Sequence, residues 1–212
     1  MSEPLKDALR GGVETLSTTV SEDQIEALIA YIELLEKWNK VYNLTAIRDP
    51  HSMVIRHLLD SLAIAPWCTE SRFIDVGTGA GLPGIPLAIV LPHKEFHLLD
   101  SNTKKTRFLV QVKTALGLDN ISVHHARVED FAAESLFDVV LSRAFASLAD
   151  MVQGSAHLLS PNGQFFAMKG ELDSAEIESV ATASELVAVH KLLVPKLSEK
   201  RHLVILSGKN NG

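Results

Sequence analysis

Apolar residues in the first third of the chain recur with the period of a helix. Ile25, Leu28, Ile29, Ile32 and Leu35 continue to Trp38 behind a capping-box pair, Ser21 and Gln24, which predicts an amphipathic helix from about residue 22. A loop with Asn39, Tyr42, Asn43 and Thr45 follows, and Met53, Ile55, Leu58, Leu59, Leu62 and Ile64 predict a second helix that stops near Pro66. From Arg72 the texture changes. Short apolar runs near 72–76, 95–99, 121–124, 137–141 and 164–168 alternate with helical stretches, the pattern of an α/β doubly wound, mostly parallel sheet. Leu186–Val194 and His202–Leu206 are two further apolar runs joined without a helix, which predicts an antiparallel pair at the sheet edge. No Gly/Ser/Pro linker divides the two textures, so residues 1–70 read as a helical cap packed on a core of residues 71–212, one compact unit.

The junction of the first strand with its helix carries the chemistry. Phe73, Ile74 and Val76 run into Gly77, Gly79 and Gly81, and an apolar helical face follows from Ile85. Such a turn lets an adenosine-bearing ligand lie against bare backbone at the carboxyl edge of a sheet. A dinucleotide fingerprint can be spelled from Gly79, Gly81 and Gly84, but it is out of phase with the strand, because the glycine that closes the turn is Gly77. Counted from Gly77 the turn is the G-x-G-x-G of S-adenosylmethionine enzymes, in which no pyrophosphate needs a helix N-terminus. A tight turn with no ligand is the plain alternative. Asp100 ends the second strand where a ribose presents its hydroxyls, and it serves equally as a cap for the helix near Thr103.

Composition narrows the class. With 212 residues, 46% of them hydrophobic, the chain buries one sizeable core. A single cysteine, Cys68, leaves no internal disulfide or multi-cysteine zinc site and suits a reducing cytoplasm. His124 and His125 follow one another on a strand and point to opposite faces, so no metal is expected there. No apolar run spans a bilayer, and no membrane partner is expected. The net charge of −6 is unevenly spread: Lys104, Lys105, Arg107 and Lys113 form one basic stretch, and Lys191, Lys196, Lys200, Arg201 and Lys209 form another against Glu199 alone. Such stripes suit a structured polyanion bound briefly, or are solvated faces only.

The chain resembles the RsmG (GidB) methyltransferases over nearly its whole length. The stretches that carry the likeness are KWNKVYNLTAIRDP (37–50), RHLLDSL (56–62), FIDVGTGAGLPGIPLAI (73–89), LLDS (98–101), RVED (127–130), SRAFASL (142–148) and EKRHLV (199–204), the last with Lys200 inserted before Arg201. The resemblance implies a Rossmann-like class I fold with a seven-stranded sheet, S-adenosyl-L-methionine as cofactor, and methylation of guanine N7 in bacterial 16S ribosomal RNA or the small subunit. It implies cofactor contacts at Gly77, Leu82, Val128, Glu129 and Arg143, to which the turn adds Thr78, Gly79 and Gly81, and the end of the second strand adds Asp100. Candidates for RNA contact are Asn39, Asn43, Arg56, Lys104, Lys105, Arg107, Lys169 and Arg201. A monomer is expected.

The fourth strand is followed by Ser142-Arg143-Ala144-Phe145 in place of the Asn/Asp-Pro-Pro-aromatic segment of exocyclic-amine methyltransferases. Guanine N7 has a lone pair and no proton to lose, so no general base is expected, and Arg143 and Phe145 are candidates beside the target base. Simpler roles compete: an Arg143 salt bridge to Asp138 or Asp150, an Arg56–Asp60 pair, and asparagines that only close the inter-helix turn. Two other functions fit the same core, a methyltransferase of a small molecule or protein, and a non-catalytic RNA-binding assembly factor.

Overall fold

The computed structural model describes residues 2–16, 18–143, 145 and 147–208, so Ala144, Ala146 and Lys209 lie outside the described residues. Five parallel strands come first along the chain: β1 (Arg72–Val76), β2 (Glu95–Asp100), β3 (Ile121–His125), β4 (Phe137–Ser142) and β5 (Leu159–Lys169). Then β6 (Ser184–Leu192) and β7 (Arg201–Gly208) add the antiparallel pair. The order is β3-β2-β1-β4-β5-β7-β6, with the last strand inserted between β5 and β6. The order reverses at β1, whose neighbours are β2 and β4, and an open α/β sheet has its ligand crevice at the carboxyl ends of such strands.

Central strands read as mostly apolar runs because both faces are covered, with Asp75 and His97 as buried polar exceptions. Phe73 packs with Phe96, Phe108 and Leu109 on one side, and Ile74 and Val76 with Phe137, Val140 and Leu148 on the other. The first side is shared with the N-terminal helices, whose Leu9, Ile25, Leu28, Ile32 and Leu59 join the same core.

Those helices are α1 (Ser2–Thr15), α2 (Glu22–Tyr42), the short α3 (Pro50–Met53) and α4 (Asp60–Leu62). Ser21 caps α2 with the reciprocal Gln24 bond that the pattern predicts. α1 was not expected. Its Leu5, Leu9 and Val13 are buried at helical spacing, but the Gly11-Gly12 pair interrupts the pattern. Between α3 and α4, Val54–Leu59 is wound as a π-helix, and the Asp60 N–H reaches back to the Ile55 carbonyl. β5 starts five residues before the apolar run that announced it, with an irregular register that sets Phe137 against Leu159 and Val139 against Gln164. The remaining helices are α5 (Gly84–Val90), α6 (Thr103–Leu116), α7 (Leu148–Ser155) and α8 (Ser174–Glu178).

Candidate functional site

Three cavities stand in a row along the carboxyl edge of the sheet, each sharing a wall with the next. The glycine turn lines the first two. Gly77, Gly79 and Gly81 all have positive φ (67°, 62° and 93°), which a side chain resists. The N–H groups of Gly77 and Thr78 bond to the Leu99 carbonyl at 2.9 and 3.2 Å, pinning the turn to β2. The glycines differ in what they face. A Cβ at Gly79 meets nothing nearer than 3.8 Å, whereas one at Gly81 lies 2.4 Å from Ile85 and 2.8 Å from Leu109. Gly81 is therefore needed for packing beneath the turn.

Asp100 is buried, and both of its oxygens are in use. Oδ2 accepts from the Gly79 N–H at 2.9 Å and lies 3.5 Å from Lys105 Nζ, and Oδ1 accepts from the Asn102 N–H at 2.8 Å. Asn102, not Asp100, caps α6. Beneath the turn Asp75 is fully buried, its Oδ2 accepting from the Thr78 hydroxyl and the Gly84 N–H while Oδ1 has no hydrogen bond. Burial pushes its carboxyl up to about 7 against the pull of those two donors.

The first cavity, about 320 Å³, is lined by Gly77, Asp100, Lys105, Val128, Glu129 and Phe145, and its size suits a nucleoside. Lys105 thus belongs to this cleft more than to an open basic stripe, while Lys104 and Arg107 stay exposed on α6. The second cavity, about 180 Å³, lies across the turn between Gly77, Thr78, Gly79, Leu82, Thr45 and Arg143. His57 and Arg143 separate it from the third, about 370 Å³, lined by Arg56, Asp60, Lys169 and Arg201 besides those two.

The third cavity is ringed by ion pairs. Asp60 receives Arg143 Nη1 on Oδ2 and Arg201 Nε on Oδ1, each at 3.0 Å, Lys169 pairs with Glu176 at 2.7 Å, and Arg56 pairs closely with Glu199. So Asp60 is not the partner of Arg56. Nor does Arg143 pair with Asp138, which accepts from the Arg72 N–H, or with Asp150, which accepts from the Ser147 hydroxyl. His57 is buried, and its Nε2 lies 3.0 Å from the Thr45 hydroxyl. Burial and then the Arg143 guanidinium drive its pKa down to about 4, against a smaller upward pull from the Arg56 carbonyl, so the ring is neutral near pH 7.

Asn39 and Asn43 divide between structure and surface. Asn39 is 2% exposed; its Oδ1 accepts from the Thr45 N–H and its Nδ2 donates to the Ile47 carbonyl, so it holds the loop that walls the second cavity. Asn43 ends α2 in the left-handed region and accepts from Arg48 at 2.6 Å on the exposed side. His124 turns inward to His97, with Nε2 2.8 Å from its Nδ1, while His125 bonds near Ser101 and Thr103. Among the described residues no group of three His, Cys, Asp or Glu could hold a metal ion. From the sequence, Thr45 had only a place in the inter-helix loop and Asp60 only a pairing with Arg56, and His57 was not singled out. The visible signal for His57 and Asp60 was the Arg56, His57, Asp60 spacing on a helix.

The model of the GidB family, described as rRNA small subunit methyltransferase G, matches residues 24–204. A ribosomal RNA small subunit methyltransferase G of Cellvibrio japonicus is 54% identical over 207 residues, covering 95% of this chain and 94% of the relative. One from Klebsiella pneumoniae is 52% identical over 193 residues, 91% and 93% of the two chains. Among solved structures, the N-methyltransferase NodS of Bradyrhizobium japonicum with S-adenosyl-L-homocysteine aligns at TM-score 0.54 and 15% identity over 84% of this chain and 97% of that one. TYW2 of M. jannaschii with AdoMet aligns at 0.55 and 16%, over 70% and 73%. At these identities the likeness concerns the fold, a seven-stranded class I methyltransferase sheet.

Proposed function

The chain belongs to the rRNA small subunit methyltransferase G family, and from that premise we propose that it transfers a methyl group from S-adenosyl-L-methionine to N7 of a guanine in 16S ribosomal RNA. The observation that carries the reading is the row of three cavities: Gly77 is shared by the first two, His57 and Arg143 by the last two, and the last is walled by Arg56, Arg143, Lys169 and Arg201. A nucleoside-sized cleft, a narrow passage and a cationic chamber are what a bound cofactor and an incoming nucleotide need in sequence.

The residue set fits the cofactor. Positive-φ glycines give bare backbone, and Asp100 stands buried at the cleft with Val128 and Glu129 opposite. In this reading Gly77, Thr78, Gly79, Gly81, Leu82, Asp100, Val128, Glu129 and Arg143 hold the cofactor, Thr78 and Gly81 by shaping the turn from below. Bound there, it supplies an electrophilic methyl on a sulfonium. The chain has no proton to remove, because N7 offers its lone pair directly, and His57, its pKa held down to about 4, is a poor proton acceptor, as a site without a base allows. Its work is alignment, and Arg143 and Phe145 flank the place where the base arrives.

Arg56, Lys169 and Arg201 at the chamber and Lys104 and Arg107 outside it face phosphates, with Asn43 at the rim; Lys105 serves the cleft, and Asn39 acts through the loop it holds. The helical cap, residues 1–70, and the methyltransferase unit, residues 71–212, act together. The partner is the small ribosomal subunit or its RNA, the working form is a monomer, and the compartment is the cytoplasm. Among the described residues no helix is long and apolar enough to cross a membrane.

The test is incubation with methyl-labelled cofactor and under-methylated small-subunit RNA, naked and as particles, followed by chemical cleavage at N7-methylguanine. A single labelled guanine, cleavable at N7, is the expected result. Label on an exocyclic amine or a ribose, or none on either substrate, overturns the reading.

A further inference from the structure

Asp60 joins three parts of the chain. It stands on the cap, 83 residues before Arg143 at the end of β4 and 141 residues before Arg201 at the start of β7. At 1% exposure an ionised carboxylate is tolerable only when both oxygens are satisfied by charged donors, and here they are, one by each guanidinium. Each arginine also has a backbone anchor: Arg143 donates to the Arg56 carbonyl at 3.1 Å, and Arg201 to the Lys200 carbonyl at 2.9 Å. Two fixed acceptors give each planar head one orientation. The heads are nonetheless not sealed away, since the Arg143 and Arg201 side chains are 27% and 22% exposed and both line the third cavity. A purely structural staple would gain nothing from facing a cavity, and well-packed apolar residues serve that purpose at least as well.

We propose that Asp60 is a positioning residue for methyl transfer, holding Arg143 and Arg201 in fixed orientation at the chamber wall and offsetting part of their charge. The proposal rests on the functional reading above. Methylation at N7 breaks the bond from sulfur to the methyl carbon, forms the bond from that carbon to N7, and moves the positive charge from the sulfonium to the base. Two guanidiniums beside a base that is becoming cationic oppose that movement. A carboxylate between them lowers the opposition and leaves enough positive charge to attract the phosphates. The two effects separate in experiment. Loss of the Asp60 charge leaves RNA attraction intact or stronger, while it slows the chemical step.

The variants are Asp60→Asn, which keeps the shape without the charge, and Asp60→Glu, which keeps the charge on a longer stem. Thermal melting and S-adenosylhomocysteine binding establish the fold of each. In Asp60→Asn, RNA affinity at fixed salt is held or raised, and single-turnover transfer at saturating RNA and cofactor slows by about 10-fold to 10²-fold, the scale of a small misplacement of reacting groups. Asp60→Glu recovers more of the rate than Asp60→Asn. Transfer in Asp60→Asn at the wild-type rate, a parallel fall of affinity and rate, or a better rate from Asn than from Glu each overturns the proposal. Should Asp60→Asn fail to fold, Arg143→Lys and Arg201→Lys, singly and together, leave Asp60 in place: coupled rate losses support a shared anchor, and additive losses overturn it. Wild-type transfer to the same RNA tests the functional reading, and the ratio of variant to wild type tests the role of Asp60.

Discussion

Asp75 is the carboxylate most at odds with its surroundings, fully buried, with one oxygen unbonded and its pKa raised from 3.8 to about 7. Between those two values the folded protein keeps a proton that the unfolded chain has released, so this residue's contribution to stability is full below pH 4 and is lost as pH rises through about 7. His57 works in the opposite sense: its pKa falls from 6.5 to about 4, so its contribution is lost as pH drops through that window. An Asp75→Asn variant separates the two, because His57 is common to both proteins. The melting temperature of wild type minus that of Asp75→Asn should decrease from pH 5 to about pH 7 and then level off, and a difference independent of pH would refute the protonated, buried Asp75. This residue was visible in the sequence only as one more strand position. Nothing in the alternation of residue types says that the helix start at Gly84 and the Thr78 hydroxyl converge on the same carboxylate oxygen.

The elements followed their patterns where one face met one core, and departed where two elements had to touch closely. Helix α1 was hidden by Gly11-Gly12, yet those glycines have different reasons. A Cβ at Gly11 meets nothing within 4 Å, whereas one at Gly12 lies 2.4 and 2.6 Å from the δ carbons of Leu59, itself fully buried. Gly12 lets α1 lie against the π-wound segment, and Gly11 only loosens the helix. Gly11→Ala should therefore raise stability by about 0.5–1 kcal/mol, and Gly12→Ala should lower it by about 1–2 kcal/mol, both read from denaturant melts. Equal effects at the two positions would contradict the packing of α1 on Leu59. The early start of β5 has a similar origin: Leu159 pairs with Phe137 across an irregular register, and Ser160-Pro161-Asn162 carries no apolar signal to announce it.

At the scale of the whole molecule, charge is sorted by place. Lys104 and Arg107 project from α6 into solvent while Lys105, between them in sequence, turns to Asp100 in the cleft. Replacing Lys104 and Arg107 by Ala should lower the slope of log affinity against log salt by about 0.7 for each phosphate no longer neutralised, without changing S-adenosylhomocysteine affinity. Lys105→Ala should do the reverse, as calorimetry with that ligand will show. The strand order, the glycine turn and the antiparallel pair were legible because each is written in contiguous residues. The chamber was not, because its walls come from residues 56–60, 143, 169 and 201, and no local pattern joins them. That dispersal bears on how the protein comes into being. A chain grows from its N-terminus, and β7, which begins with Arg201, must pair with both β5 and β6 to complete the sheet. Until it does, Asp60 lacks one of its two arginines and the sheet lacks the strand that joins β6 to β5. Contacts so distant along the chain form late and slowly. On the role proposed for Asp60, methyl transfer therefore waits for β7, the last strand of the sheet to be synthesised.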